Sequence, residues 1–231
     1  MVHYNFLDRD VEEVYGDRVD RTLAQVDDPF FMPHLIRARL SVESDHRLWQ
    51  TWWTTPSIRA TGRTAQGTPV VLYAHVPNFY SDAENVHAAI DDGRLVNGAG
   101  PLPQEEFIRL LSLEGNGVSV IDHATLRKSS SEPLDVSQAL AHPQTLPFLG
   151  VSPEEAQLYL QKHKAAYGGN IGIWHSDDLG SEPVARVLFL CGIDCGSLIG
   201  NYYLYDGDVA RVLGTRRCAS VSEQILEERL S

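Results

Sequence analysis

The residues whose types could do chemistry gather late in the chain. His175-Ser176-Asp177-Asp178 follows an apolar run, and a His-x-Asp spacing sends both side chains to one face of an extended segment. That is how two members of a His/His/carboxylate metal triad are commonly supplied. His175 is the last histidine, so the third ligand must come from earlier in the chain. His75, at the end of a strongly apolar run, is the first choice, ahead of His87 and His123. The competing reading of the motif is a turn in which the carboxylates cap backbone amides.

Cys191-Gly192-Ile193-Asp194-Cys195 follows a second apolar run. Three residues separate the thiols, unlike the two-residue gap of redox and zinc motifs, and no second pair exists to complete a four-thiolate site. Cys191 or Cys195 beside His175 has the residue types of a nucleophilic pair, with a spacing that does not fix the geometry. Asn97-Gly98-Ala99-Gly100-Pro101 lacks the third glycine and the Lys-Ser/Thr pair of a phosphate cradle, and reads as a structural loop. Arg127-Lys128-Ser129-Ser130-Ser131 reads as a solvated loop, because nothing places a base or an oxyanion hole beside its serines.

Charge and composition narrow the partners. The chain has 231 residues and a formal net charge of −12, with 19 Lys and Arg against 31 Asp and Glu. Its longest basic groupings are only pairs, so a nucleic-acid backbone would be repelled. No apolar run approaches the roughly 20 residues of a membrane span, and residues 1–8 lack the basic and apolar regions of a signal peptide. Three cysteines cannot all pair within one chain, and reduced thiols fit a cytoplasmic protein.

The positioning elements are legible in part. Asp10 with Glu13, followed by Val11, Val14, Tyr15, Val19, Leu23 and Val26, predicts an N-terminal helix ending at Asp27-Asp28-Pro29, and a second helix spans about Pro33 to Leu40. Trp49, Trp52 and Trp53 read first as core, and otherwise as an aromatic patch for a partner. Ile58–Thr64 and Pro69–Val76 form a hairpin about Gly67, and Ser81 with Glu84 starts a helix to about Ile90. Pro103 opens another helix, with Phe107, Leu110 and Leu111 on its buried stripe. A strand from Val118 to Ile121 and a helix from Val136 to Ala141 follow, with a connector around Pro147. Ser152-Pro153-Glu154-Glu155 starts a helix ending at Tyr167-Gly168, which has His163 on its apolar face. Strands are predicted over 171–174, 184–190, 201–205 and 209–213, with a turn at Asp206-Gly207-Asp208, before a last helix capped at Ser220.

This order predicts a single α+β domain over residues 1–231, with a helical N-terminal layer and a largely antiparallel sheet ending in a C-terminal meander. The leading functional expectation is a small-molecule enzyme using a divalent transition metal. Its site lies near the ends of strands 69–76, 171–175 and 184–191, with His75, His175 and Asp177 as metal ligands and His175, Asp177, Cys191 and Cys195 as the reacting groups. The alternative is a non-catalytic binding or assembly module using the Trp49/Trp52/Trp53 region, compatible with a homo-oligomer.

Overall fold

The computed structural model describes residues 3–6, 9–91, 95, 98–129, 133–173, 179–192, 197–201 and 210–216. The chain opens with strands β1 (His3–Phe6) and β2 (Arg9–Gly16), the short helix α1 (Val19–Leu23) and strand β3 (Val26–Pro29). Helices α2 (Met32–Leu40) and α3 (Arg47–Gln50) precede the hairpin β4 (Trp53–Arg63) and β5 (Pro69–Ala74). Helix α4 (Ala83–Asp91), strand β6 (Gly100–Pro101), helix α5 (Gln104–Leu111) and strand β7 (Val118–Asp122) come next. Four helices then run in succession: α6 (His123–Arg127), α7 (Val136–Ala141), α8 (Thr145–Leu149) and α9 (Pro153–Tyr167). Strands β8 (Gly172–Ile173), β9 (Val184–Leu190), β10 (Ser197–Asn201) and β11 (Ala210–Arg216) complete the described elements.

Two sheets organise these elements. One has the order β1-β2-β11-β3; the other runs β7-β5-β4-β9-β10-β8, with β6 paired to β9. Apart from the parallel pair β10 and β8, every pairing between the described strands is antiparallel. The α+β class and the largely antiparallel sheet are what the structure shows.

The central strand β4 is buried on both faces from Trp53 to Gly62. Ile58, Ala60, Leu72 and Val187 pack into one core with α4 and α5, while Val71, Tyr73, Leu188 and Leu190 pack into the other with α2, α3, α8 and α9. Apolar layers on both sides explain why these strands read as continuous apolar runs.

The first corrected element is the N-terminal helix: residues 9–16 form a strand. Val11 and Val14 stand three apart, a spacing that marks one face of a helix but opposite faces of a strand. Both are buried, Val11 in the α2/α9 core and Val14 in the α4/α5 core, so the spacing follows from a strand covered on both sides. Likewise Pro147 lies within α8 and not in a connector. The last strands divide between sheets, with β10 beside β9 and β11 between β2 and β3. The turn at Asp206-Gly207-Asp208 and the helix capped at Ser220 lie outside the described residues.

Several local signals hold. Gly67 takes φ 82° in the β4–β5 turn, and the ladder runs in register from Ile58 opposite Ala74 to Arg63 opposite Pro69. Ser152 and Glu155 form the expected reciprocal cap on α9, and Gly168 ends that helix in the left-handed conformation.

Candidate functional site

The tryptophan segment is anchored by one arginine. Arg39 is completely buried on α2, yet none of its hydrogen-bond partners is a carboxylate. Nε donates to the Leu48 carbonyl, Nη1 to the Tyr159 hydroxyl, and Nη2 to the carbonyls of Thr51 and Cys191. All distances lie between 2.7 and 2.9 Å. Five donors in a rigid plane let one residue gather carbonyls from three directions.

Trp49 lies 5.3 Å from that guanidinium and stacks on Tyr159 at 5.0 Å, its indole N–H donating to the Arg39 carbonyl. The Trp53 N–H donates to the Leu48 carbonyl at 3.1 Å. Trp49 and Trp53 are therefore core, and only Trp52 of the three reaches the surface, half-buried.

Beside Trp52 the β1-β2-β11-β3 sheet presents charged and aromatic side chains next to its buried Val11 and Leu213. Glu13, Tyr15 and Arg211 project to one side, because Tyr15 pairs with Arg211 and Glu13 with Leu213 across the β2–β11 ladder. The Arg211 guanidinium stands 4.9 Å from the Tyr15 ring centre, 5.7 Å from Trp52 and 5.9 Å from Trp53. Glu13 bonds Arg47 through Nε and Nη2, both at 2.7 Å, and also bonds Arg211 Nη1. Glu13 is nearly buried while Tyr15 is 56% exposed. This is a fixed platform of two guanidiniums and two aromatic rings.

His75 is engaged differently from the sequence expectation. Its Nδ1 lies 2.9 Å from Ser57 Oγ and its Nε2 2.8 Å from the Pro147 carbonyl. A carbonyl can only accept, so Nε2 carries the proton and Nδ1 accepts from the hydroxyl. Ser57 Oγ in turn accepts the Met32 backbone N–H at 2.9 Å. Burial holds the imidazole down to about 4, consistent with this neutral form. Both ring nitrogens are thus committed to the protein, and His75 joins β5, β4, α2 and α8 instead of offering a metal ligand. It lines a cleft of about 480 Å³ with Arg37, Ser119 and Gly150.

Of the other expected groups, Cys191 is buried. Its carbonyl, not its sulfur, makes the contact with Arg39. His175, Asp177, Asp178, Asp194 and Cys195 lie outside the described residues. Among the described residues no three His, Cys, Asp or Glu side chains are grouped to hold a metal ion. His163 is buried on α9 between Tyr159 and Tyr167, and burial holds it down to about 4.

Sequence reasoning missed the arginines. Arg59 and Arg186 are buried cross-strand neighbours in β4 and β9, and Arg39 and Arg211 have the roles given above. The available signal was an arginine interrupting an apolar strand, as in Val184-Ala185-Arg186-Val187-Leu188.

No protein-family model matches the sequence. No curated protein matches it either. A solved structure, described as the accommodation of massive sequence variation in Nanoarchaeota by the C-type lectin fold, superposes with a TM-score of 0.81 at 45% identity, over 89% of this chain and 97% of that one. The chain belongs to the C-type lectin fold family. This kinship overturns the expectation of a metal-dependent small-molecule enzyme: nearly the whole of a lectin-fold relative aligns with this chain. Within the lectin fold, the two cores and the Arg39 centre form the framework, and the Trp52 platform lies on its surface. No helix among the described residues is long and apolar enough to cross a membrane.

Proposed function

We propose that this chain is a non-catalytic binding module, a lectin-fold framework whose surface engages a ligand without transforming it. The observation that supports this most is the 45% identity to a lectin-fold protein over 97% of that protein's length. The relative is described as accommodating massive sequence variation, and the division of this molecule supports the same reading here. The framework is over-determined by two cores and by Arg39, so substitutions of exposed side chains leave its packing untouched. The net charge of −12 supports ligands other than nucleic acid, and the odd number of cysteines supports a reducing, cytoplasmic setting for a single folded unit.

The test is a binding screen with a chemical readout. Purified protein is offered arrays of immobilised glycans and proteins, hits are titrated to saturation, and each ligand is recovered for mass spectrometry. Saturable binding with unchanged ligand mass is expected. Turnover of the ligand would overturn the module reading.

A further inference from the structure

We propose that the cavity bounded by α4, β6 and the start of α5 is a second binding site, separate from the Trp52 platform, and that it takes a small apolar amine in its protonated form. This goes beyond the module reading above. Tyr80, Ala89 and Leu102 at the cavity belong to the α4/α5 core, on the side of β4 opposite the Arg39 centre.

The walls are preformed. The cavity has a volume of about 320 Å³ and is lined by Phe79, Ala88, Ala89, Leu102 and three prolines. Alanine and proline have no side-chain freedom with which to swing inward and fill the space. Hydrogen bonds brace the elements around it. The Tyr80 hydroxyl donates to the Pro101 carbonyl at 2.7 Å, Asn85 Nδ2 to the Phe79 carbonyl at 2.9 Å, and the Leu102 N–H to the Pro183 carbonyl at 2.9 Å. A ligand entering such a space meets groups that are already ordered, so little freedom is lost on binding. The volume stands at the lower end of the range of about 300–1,000 Å³ for small-molecule sites, which limits the occupant to a compact body.

The polar groups select its charge. The Tyr80 and Asn85 donors are spent on backbone carbonyls, which leaves the Asn85 Oδ1 acceptor. Glu182 also lines the cavity and is exposed, and among the described residues it is the only charged group there. An anion would face that carboxylate with no lining cation to offset it, whereas an ammonium supplies donors to both acceptors. The net charge of −12 favours a cation at the surface as well. The N-terminus of α5 adjoins the cavity at Pro103 and carries the opposite preference, but its first turn already holds Glu105 and Glu106. The apolar walls then require a hydrocarbon body behind the ammonium.

The experiment titrates the full chain at about pH 7.5, where alkylamines are protonated, with benzylamine, phenethylamine and isopentylamine, each paired with the alcohol of the same carbon skeleton. Dissociation constants are read from ligand and protein chemical shifts. At least one amine is expected to bind saturably, and its alcohol about tenfold more weakly or less tightly still, as expected for loss of one charge-assisted contact. Glu182→Gln is expected to weaken the amine by about tenfold and leave the alcohol unchanged. Ala88→Leu, at an exposed helix position, is expected to fill the space and abolish binding of both, with the melting temperature of each variant within a few degrees of wild type. Binding of no amine, equal binding of amine and alcohol, or unchanged amine affinity in either variant would each overturn the proposal. Those results leave the module reading standing, since its glycan and protein ligands are scored by their own titrations.

Discussion

Ser57 Oγ stands 2.9 Å from His75 Nδ1 and 2.9 Å from the Met32 backbone nitrogen, so one hydroxyl accepts from α2 and donates to the end of β5. Ser57→Ala removes both bonds and leaves a buried N–H with no partner. We expect a loss of about 1–3 kcal/mol in unfolding free energy, read by urea denaturation. Gly150 reports on the same contact: it takes φ 65°, and a Cβ there would run into the His75 ring and Pro33. Gly150→Ala should therefore destabilise comparably, whereas Gly67→Ala, with open space around it, should cost only its backbone strain.

Stability should fall on acidification before the carboxylates titrate. His75 and His163 are each held down to about 4 by burial, against about 6.5 in the unfolded chain. Between those values the unfolded state binds more protons, so stability is full above about pH 6.5 and is lost as pH falls toward 4. At pH 5 each histidine should cost about 2 kcal/mol relative to pH 7.5. The check is urea titration at both pH values; His163→Leu should flatten its share of the decline, and an unchanged slope in that variant would contradict the assignment.

Replacing Arg39 should be among the most damaging changes in the molecule. Arg39→Ala opens a cavity beneath Trp49 and strands the Tyr159 hydroxyl and the carbonyls of Leu48, Thr51 and Cys191. A loss of about 3–5 kcal/mol is expected, with an altered near-ultraviolet signal from the tryptophans. Arg39→Lys keeps the charge but not the planar fork, so it should recover little of the loss.

Cys191 should be slow to react in the folded protein, because it is buried. Alkylation resolved by peptide mass spectrometry should leave it unlabelled in native buffer and label it fully in denaturant. Rapid native labelling would show that the end of β9 opens far more readily than its packing implies.

What the sequence by itself determined is whatever depends on neighbours a few residues apart. The Ser152–Glu155 cap, the stop at Gly168, the turn at Gly67 and the β4–β5 hairpin all rest on contacts within one or two elements, so residue type and spacing were enough to read them. The mixed α+β class followed from the order of those elements. The tertiary structure decided which faces are covered, and therefore what ambiguous spacings mean. Val11 and Val14 suit a helix or a two-faced strand equally well, and only the two cores on either side select the strand.

The candidate site belongs to the same category. Arg211 meets Glu13 across 198 positions, and Arg39 meets Cys191 across 152. No local pattern encodes such pairings, since they form only when β11 inserts between β2 and β3 and when α2 settles on the end of β9. The motifs with the most reactive residue types drew the sequence reading toward His75, which the fold uses to join its own elements. The platform is built instead from a tyrosine, a tryptophan and two arginines that no spacing relates, because only the packing of the strands brings them together.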